Sequence, residues 1–330
     1  MELKLVKYQA LGNDFLVLLD PGSSLAPSAR LAAALCDRRR GLGADGLLHL
    51  RLAGGVQQAG AAPPGSGHAL RMDLRNADGG VAETSGNGLR CAALAALDAH
   101  LCDGPVVEVL TVAGPVRAEV LGRVGDGRAE IRVEMGEVVV GSAQPATSFV
   151  PGGEAAVELR GLSARRVDVG NPHLVVYDVA EAAVDTRGGA LLATLGPLLE
   201  RAIPGGVNVE LLAASGGRDA LVMQVWERGA GPTLACGSGS VAVAAAARAA
   251  GLVDGSVEVS NPGGILLVEL SGELRRPSAA LSGPARRVAT CVVQLDDLEG
   301  FDADTAPEAP GGRAPEAPGG RAPEAQEVRA

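Results

Sequence analysis

Residues 227–251 read ERGAGPTLACGSGSVAVAAAARAAG, and the fold follows from this stretch. A polar, glycine-bearing turn ends in Cys236-Gly237-Ser238-Gly239 and passes directly into an alanine-rich helix of about three turns. The thiol therefore falls at a helix N-terminus, where unpaired N–H groups and the macrodipole favour negative charge. Such a position can lower a cysteine pKa from ~8.5 to roughly 3.5–7.5, which makes the thiolate a usable base near neutral pH. A buried cysteine serving as a small hydrophobe is the competing reading of this residue alone.

The same pattern is written a second time. Residues 76–97 read NADGGVAETSGNGLRCAALAAL, again a polar turn, then Ser85-Gly86-Asn87-Gly88, then an apolar helix. Asn76 precedes Ser85 by nine residues, as Glu227 precedes Cys236. Upstream, GNDFLVLLD at 12–20 has a partner in GNPHLVVYD at 170–178. Two elements recurring in the same order indicate an internal duplication. The chain is predicted to form two related halves, each aiming one helix N-terminus into a shared cleft.

Composition narrows the function. A net charge of −10 argues against a nucleic-acid partner, which needs a basic face. The Arg run at 38–40 reads as a solvated helix end. No apolar run approaches the ~20 residues that span a bilayer, and the first residues lack a signal peptide's apolar block. Five cysteines without close pairing point to a reducing cytoplasm rather than a disulfide framework. No CxxC or HxxxH spacing suggests a metal.

Along the chain, strands are expected at 3–9 and 15–20, a helix at 30–40, and strands at 47–52 and 69–75. The Ser85 helix is expected to reach about residue 101, followed by a meander at 106–112, 116–121 and 129–135. The second half repeats this with strands at 165–169, 173–179 and 221–226, a helix at 189–202, and strands at 257–260, 265–270 and 289–295. The stretch 53–68 reads as an exposed insertion. From about residue 302, APEAPGGR recurs, and such Pro/Gly-rich repeats cannot bury a core.

Two helix N-termini facing one cleft suit a small anion, most simply a carboxylate. Asn13, Asn76, Asn87, Asn171 and Asn208 lie in glycine-containing turns near strand ends, with Glu227-Arg228 beside them. Asparagine is a good turn residue on its own account, but five in matching places suit hydrogen bonding to a zwitterion. A base on one helix tip and an acid on the other suit proton removal and return beside a carboxylate, which is cofactor-independent racemisation or epimerisation. His173 and Glu227 are candidates for setting the thiol's ionisation. His49, His68 and His100 read as structural.

Six of these motifs in order resemble the diaminopimelate epimerase family: GNDF at 12–15, RNADG at 75–79, GNGLRC at 86–91, GNPH at 170–173, GVNVE at 206–210 and ERGAG…ACGSG at 227–239. The resemblance implies an α/β (α+β) fold of two pseudo-symmetric halves, each a curved, mostly antiparallel sheet around a central helix. The halves would take residues 1–128 plus 281–300 and residues 129–280, leaving 301–330 as a disordered tail. It further implies isomerisation of LL- to meso-diaminopimelate without pyridoxal phosphate or metal, in a homodimer. By matching motif, Cys236 corresponds to one catalytic thiol, and Ser85 stands where the family has the other. Asn13, Asn76, Gly86, Asn87, Asn171, Asn208, Glu227, Arg228, Gly237 and Ser238 fall on substrate-binding positions, with His173 and Glu227 as groups that tune the thiols.

Three positions depart from that pattern. Ser85 replaces a thiol with a far weaker acid, Gly46 lies where a glutamine is often found, and Pro232 replaces an acidic residue. Ser85 leaves three readings: a slower acid/base, a one-base reaction such as dehydration run by Cys236, or an amino-acid-binding protein without turnover. Gly237-Ser-Gly239-Ser-Val-Ala242 also fits the loose dinucleotide pattern, but no βαβ unit with an acidic strand end follows it. Cys91 is expected to point along its helix rather than into the cleft.

Overall fold

The computed structural model describes residues 2–53, 69–82, 85–102, 104–125, 127–150, 155–180, 184, 189–214 and 219–298. The expectations for most of 53–68 and for the tail from 302 lie outside these residues. In chain order the strands begin with β1 (Glu2–Ala10), β2 (Asn13–Leu19), β3 (Gly46–Leu52), β4 (Leu70–Asn76), β5 (Val106–Thr111), β6 (Gly114–Val124), β7 (Arg128–Glu137), β8 (Val139–Val140) and β9 (Gln144–Pro145). They continue with β10 (Ser163–Asp168), β11 (Pro172–Tyr177), β12 (Asn208–Ala214), β13 (Ala220–Glu227), β14 (Gly231–Thr233), β15 (Ser256–Asn261), β16 (Gly264–Gly272) and β17 (Pro277–Gln294). The α-helices are α1 (Ala29–Cys36), α2 (Gly86–Asp98), α3 (Ala155–Glu158), α4 (Ala190–Ala202) and α5 (Gly237–Ala249).

Strand pairing bears out the duplication. From β1 to β6 the successive pairings run antiparallel, parallel, antiparallel, parallel, antiparallel. The series β10, β11, β12, β13, β15, β16 repeats that order. Gly12 and Gly170 occupy equivalent turns between the first two strands of each series, at φ +87° and +85°, a conformation that favours glycine. β7 and β17 then close both sheets. β17 pairs along its first part with β16, along its last part with β1, and with β7 from Ser278 to Arg286. In the first half this completes a ring of eight strands.

Each sheet wraps one helix. From Gly86 to Ala96 in α2 and from Gly237 to Ala247 in α5 every residue is buried, which leaves neither helix a polar face over that span. Their alanines fit because strands approach on all sides and leave room for little more than a methyl group. A helix that is apolar all round belongs inside a protein.

The structure revises several boundaries. α1 ends at Cys36, not Arg40: Asp37 caps it, accepting from the backbone N–H groups of Arg39 and Arg40. Arg38 is accordingly no free helix end, and pairs with Asp14 and Asp45. The last strand begins at Pro277 rather than 289. Pro284 reads as a break but falls between the β16 pairing, which ends at Ser282, and the β1 pairing, which starts at Arg286, so its missing N–H costs little there. Among the described residues, no helix is long and apolar enough to cross a membrane.

Candidate active site

Ser85 and Cys236 are the N-caps of the two central helices. Ser85 Oγ accepts from the Gly88 N–H at 2.9 Å, and Cys236 Sγ from the Gly239 N–H at 3.3 Å. Both caps have extended backbone, which turns the chain sharply into the helix. Behind them the first helical residues abut, since a Cβ on Gly237 would lie 3.0 Å from the Gly86 Cα. Both tips therefore open onto one cavity of about 700 Å³ between the halves.

Eleven of the thirteen predicted site residues line it. Ser85, Cys236, Gly86, Gly237 and Ser238 form its floor, and Asn13, Asn76, Asn171, Asn208, Glu227 and Arg228 surround them. The Asn13 amide donates to Asp45 Oδ2 at 2.8 Å. Asn208 braces the wall, giving its amide N–H to Pro172 O and accepting the Arg228 N–H at 2.9 Å. Asn171 joins the tip of α5, donating to Ser238 Oγ at 3.4 Å.

Asn87 and His173 do not line the cavity. The Asn87 side chain is turned inward and donates to Ala235 O at 2.8 Å and Asn13 Oδ1 at 3.1 Å. His173 lies one layer behind, its Nε2–H donating to Asn171 Oδ1 at 3.0 Å. Its Nδ1 meets Glu210 Oε1 at 2.6 Å, and both side chains are fully buried. The chain Glu210–His173–Asn171–Ser238 thus runs from the core to the Cys236 thiol.

The electrostatics overturn one expectation. The Cys236 thiol is held well above its ordinary range rather than below it. Burial is the main cause, and the carboxylates of Glu227 and Glu210 add to it. The Gly239 N–H and the Ser238 hydroxyl act the other way and are outweighed. Cys236 is therefore a neutral thiol at neutral pH. Glu227, itself raised by burial, accepts a hydrogen bond from Thr233 at 2.5 Å, and its charge acts on the Cys236 thiol. A carboxylate of raised basicity thus adjoins the thiol.

The remaining histidines and Cys91 sit as expected where they are described. His49 is buried against Asp20 at 3.1 Å, and Cys91 is enclosed in the first core. At the departures, a Cβ on Gly46 would lie 2.7 Å from Arg75 O, so the backbone here leaves no room for a side chain. Glu210, Asp45 and Thr233 carry contacts that the sequence reading did not assign. The signal for Glu210 was a charged residue inside the near-continuous apolar run 207–213, which marks a strand buried on both faces.

A duplicated, sheet-wrapped helix with a polar N-cap on each copy defines a two-lobed architecture known among solved structures. The chain superposes on a hydroxyproline epimerase from Agrobacterium vitis with a TM-score of 0.65 at 19% identity, covering 91% of this chain and 95% of that one. It superposes equally on a phenazine biosynthesis protein of the PhzF family from Bacillus anthracis, TM-score 0.65 at 14% identity, over 89% and 100% of the two chains. These likenesses establish the fold.

Sequence places it more narrowly. Residues 5–141 and 165–288 match the family described as diaminopimelate epimerase. The diaminopimelate epimerase of Mycobacterium sp. (strain KMS) is 38% identical over 298 residues, covering 87% of this chain and 96% of that one. That of Mycolicibacterium gilvum (strain PYR-GCK) is 40% identical over 291 residues, covering 85% and 96%. The chain belongs to the diaminopimelate epimerase family.

Proposed function

We propose that this cleft interconverts LL- and meso-2,6-diaminopimelate by removing and returning the proton at one α-carbon. One observation carries the reading: Ser85 and Cys236 cap two helices whose first residues touch, so both face one cavity. The N–H groups of the two tips receive the substrate carboxylate and stabilise charge as it develops on the α-carbon. Asn171, Asn208 and Glu227 hold the neighbouring ammonium, and Asp78 and Arg228 offer opposite charges to the distal end of the substrate.

In this scheme Glu227 takes the Cys236 proton, and the resulting thiolate removes the α-proton from one face. The Ser85 hydroxyl hands its proton to the other face and is reprotonated from cleft water. The hydroxide so formed takes the proton held by Glu227, which resets the site. A hydroxyl is a weak acid for this task, and the step through Ser85 limits the rate. The chemistry needs no pyridoxal phosphate, and five unpaired cysteines fit a cytoplasmic setting. A homodimer is part of the proposal: Val288 and Val292 are exposed on β17, an apolar surface that a second copy would cover.

The test is incubation with LL- or meso-diaminopimelate in heavy water. Deuterium is expected at the α-carbon, and Cys236→Ala should abolish it. No exchange with either isomer would remove the reading. Ser85 also favours a second one, in which Cys236 works alone in a one-base dehydration of a related amino acid. Loss of water without inversion would identify it.

A further inference from the structure

We infer that Arg90 is a positioning residue for the Cys236 tip, acting through Asn87; only its kinetic consequence rests on the epimerase reading above. Arg90 is the sole cation of α2 and is wholly buried. Its Nη2 donates to Asn87 Oδ1 at 2.7 Å, its Nη1 to Gly86 O at 3.2 Å and its Nε to Pro284 O at 3.4 Å. All three acceptors are neutral. Burial lowers its pKa to about 10, which leaves it charged at neutral pH. A buried cation whose hydrogen-bond acceptors are all neutral, with the charge of Glu130 reaching it without a hydrogen bond, is costly, and apolar replacements of buried charges are often tolerated or stabilising. Packing alone therefore does not account for an arginine here.

What it does account for is the direction of the Asn87 amide. With Oδ1 claimed by the guanidinium, Nδ2 must face the other way, onto Ala235 O at 2.8 Å and Asn13 Oδ1 at 3.1 Å. Ala235 directly precedes Cys236 and belongs to the opposite half. A flipped amide would set oxygen against the Ala235 carbonyl and nitrogen against the guanidinium, two repulsive contacts at once. Arg90 in the first half thus fixes a strap across the cleft floor. The strap holds the residue that leads into the Cys236 cap, and through Asn13 it reaches the cleft wall.

Two substitutions test this. Arg90→Met keeps an apolar stem but releases the amide. Asn87→Asp gives Arg90 a carboxylate partner and removes the N–H that reaches Ala235. Both are expected to lower kcat for α-proton exchange by about 10–100-fold with KM within about threefold, since a small misplacement of a reacting group costs that much. Both should also speed alkylation of Cys236 by iodoacetamide, read by peptide mass spectrometry, while Cys91 in the same core stays protected. Asn87→Asp should still fold, because the ion pair gained with Arg90 offsets the repulsion from Ala235 O, so it decides the matter if Arg90→Met does not fold. Folded variants with unchanged kcat and unchanged Cys236 alkylation would overturn the inference. A parent protein without exchange would instead remove the epimerase reading, and the alkylation rates would still judge the strap.

Discussion

Gly86 and Gly237 touch across the pseudo-twofold relation of the two halves: a Cβ on the first would stand 3.2 Å from the Cα of the second, and one on the second 3.0 Å from the Cα of the first. Leu281 of β17 lies beneath both, its Cδ2 within 3.1 Å of either hypothetical Cβ. Any side chain at these positions must push the helix tips apart. Gly86→Ala and Gly237→Ala are expected to cost about 1–3 kcal/mol through overpacking and to reduce proton exchange by about 10²-fold through misplacement of the caps. Urea unfolding and deuterium incorporation check the two effects separately, and unimpaired exchange would show that the spacing of the tips is not needed.

Ser85→Cys restores a thiol on the tip that now bears a hydroxyl. Because the replacement is a much better proton donor, exchange is expected to rise by about 10²-fold. Indifference or loss would mean that the serine belongs to a different chemistry, and the products of candidate amino acids should then be screened for released water.

Glu227 supports a prediction with a definite sign. Burial, then the charge of Glu227, holds the Cys236 thiol high. In Glu227→Gln that charge is gone, so the alkylation limb of Cys236 should move to lower pH. Catalysis should fall nonetheless, by about 10²–10⁴-fold, because the acceptor for the thiol proton has been removed. A limb that stays in place would show that the carboxylate does not act on the sulfur.

Cys91 and Cys36 make the fold sensitive to alkali. Burial pushes each thiol from an ordinary 9.0 to about 12. Groups raised in this way stabilise the folded state fully below the unfolded pKa, and the benefit is lost as pH rises through the folded value. Stability should therefore decline between about pH 9 and 12, and Cys91→Ala should flatten that decline in urea titrations. An unchanged slope would count against burial as the cause.

The helix tips and their duplication were legible because glycine-rich turns before alanine-rich segments admit few structures. The asparagines were legible as turn residues near a ligand, but not which way each would face: Asn87 turns inward because a cation sits on its oxygen. Arg90 itself left one overlooked sign, a lone cation in the apolar part of a helix. The low thiol pKa expected for Cys236 failed because a helix terminus acts locally, whereas burial and two carboxylates from distant strands are set by tertiary packing. β17 was cut short because proline and glycine read as breaks, and only pairing partners far off in sequence show why they are tolerated.

That strand has a bearing on how the protein comes into being. Residues 277–294 supply the closing member of both sheets, one of which opens with Glu2–Ala10. On the ribosome, the first half cannot seal its ring until the second has been synthesised. The two lobes must mature together, and neither could be passed on alone as a working module.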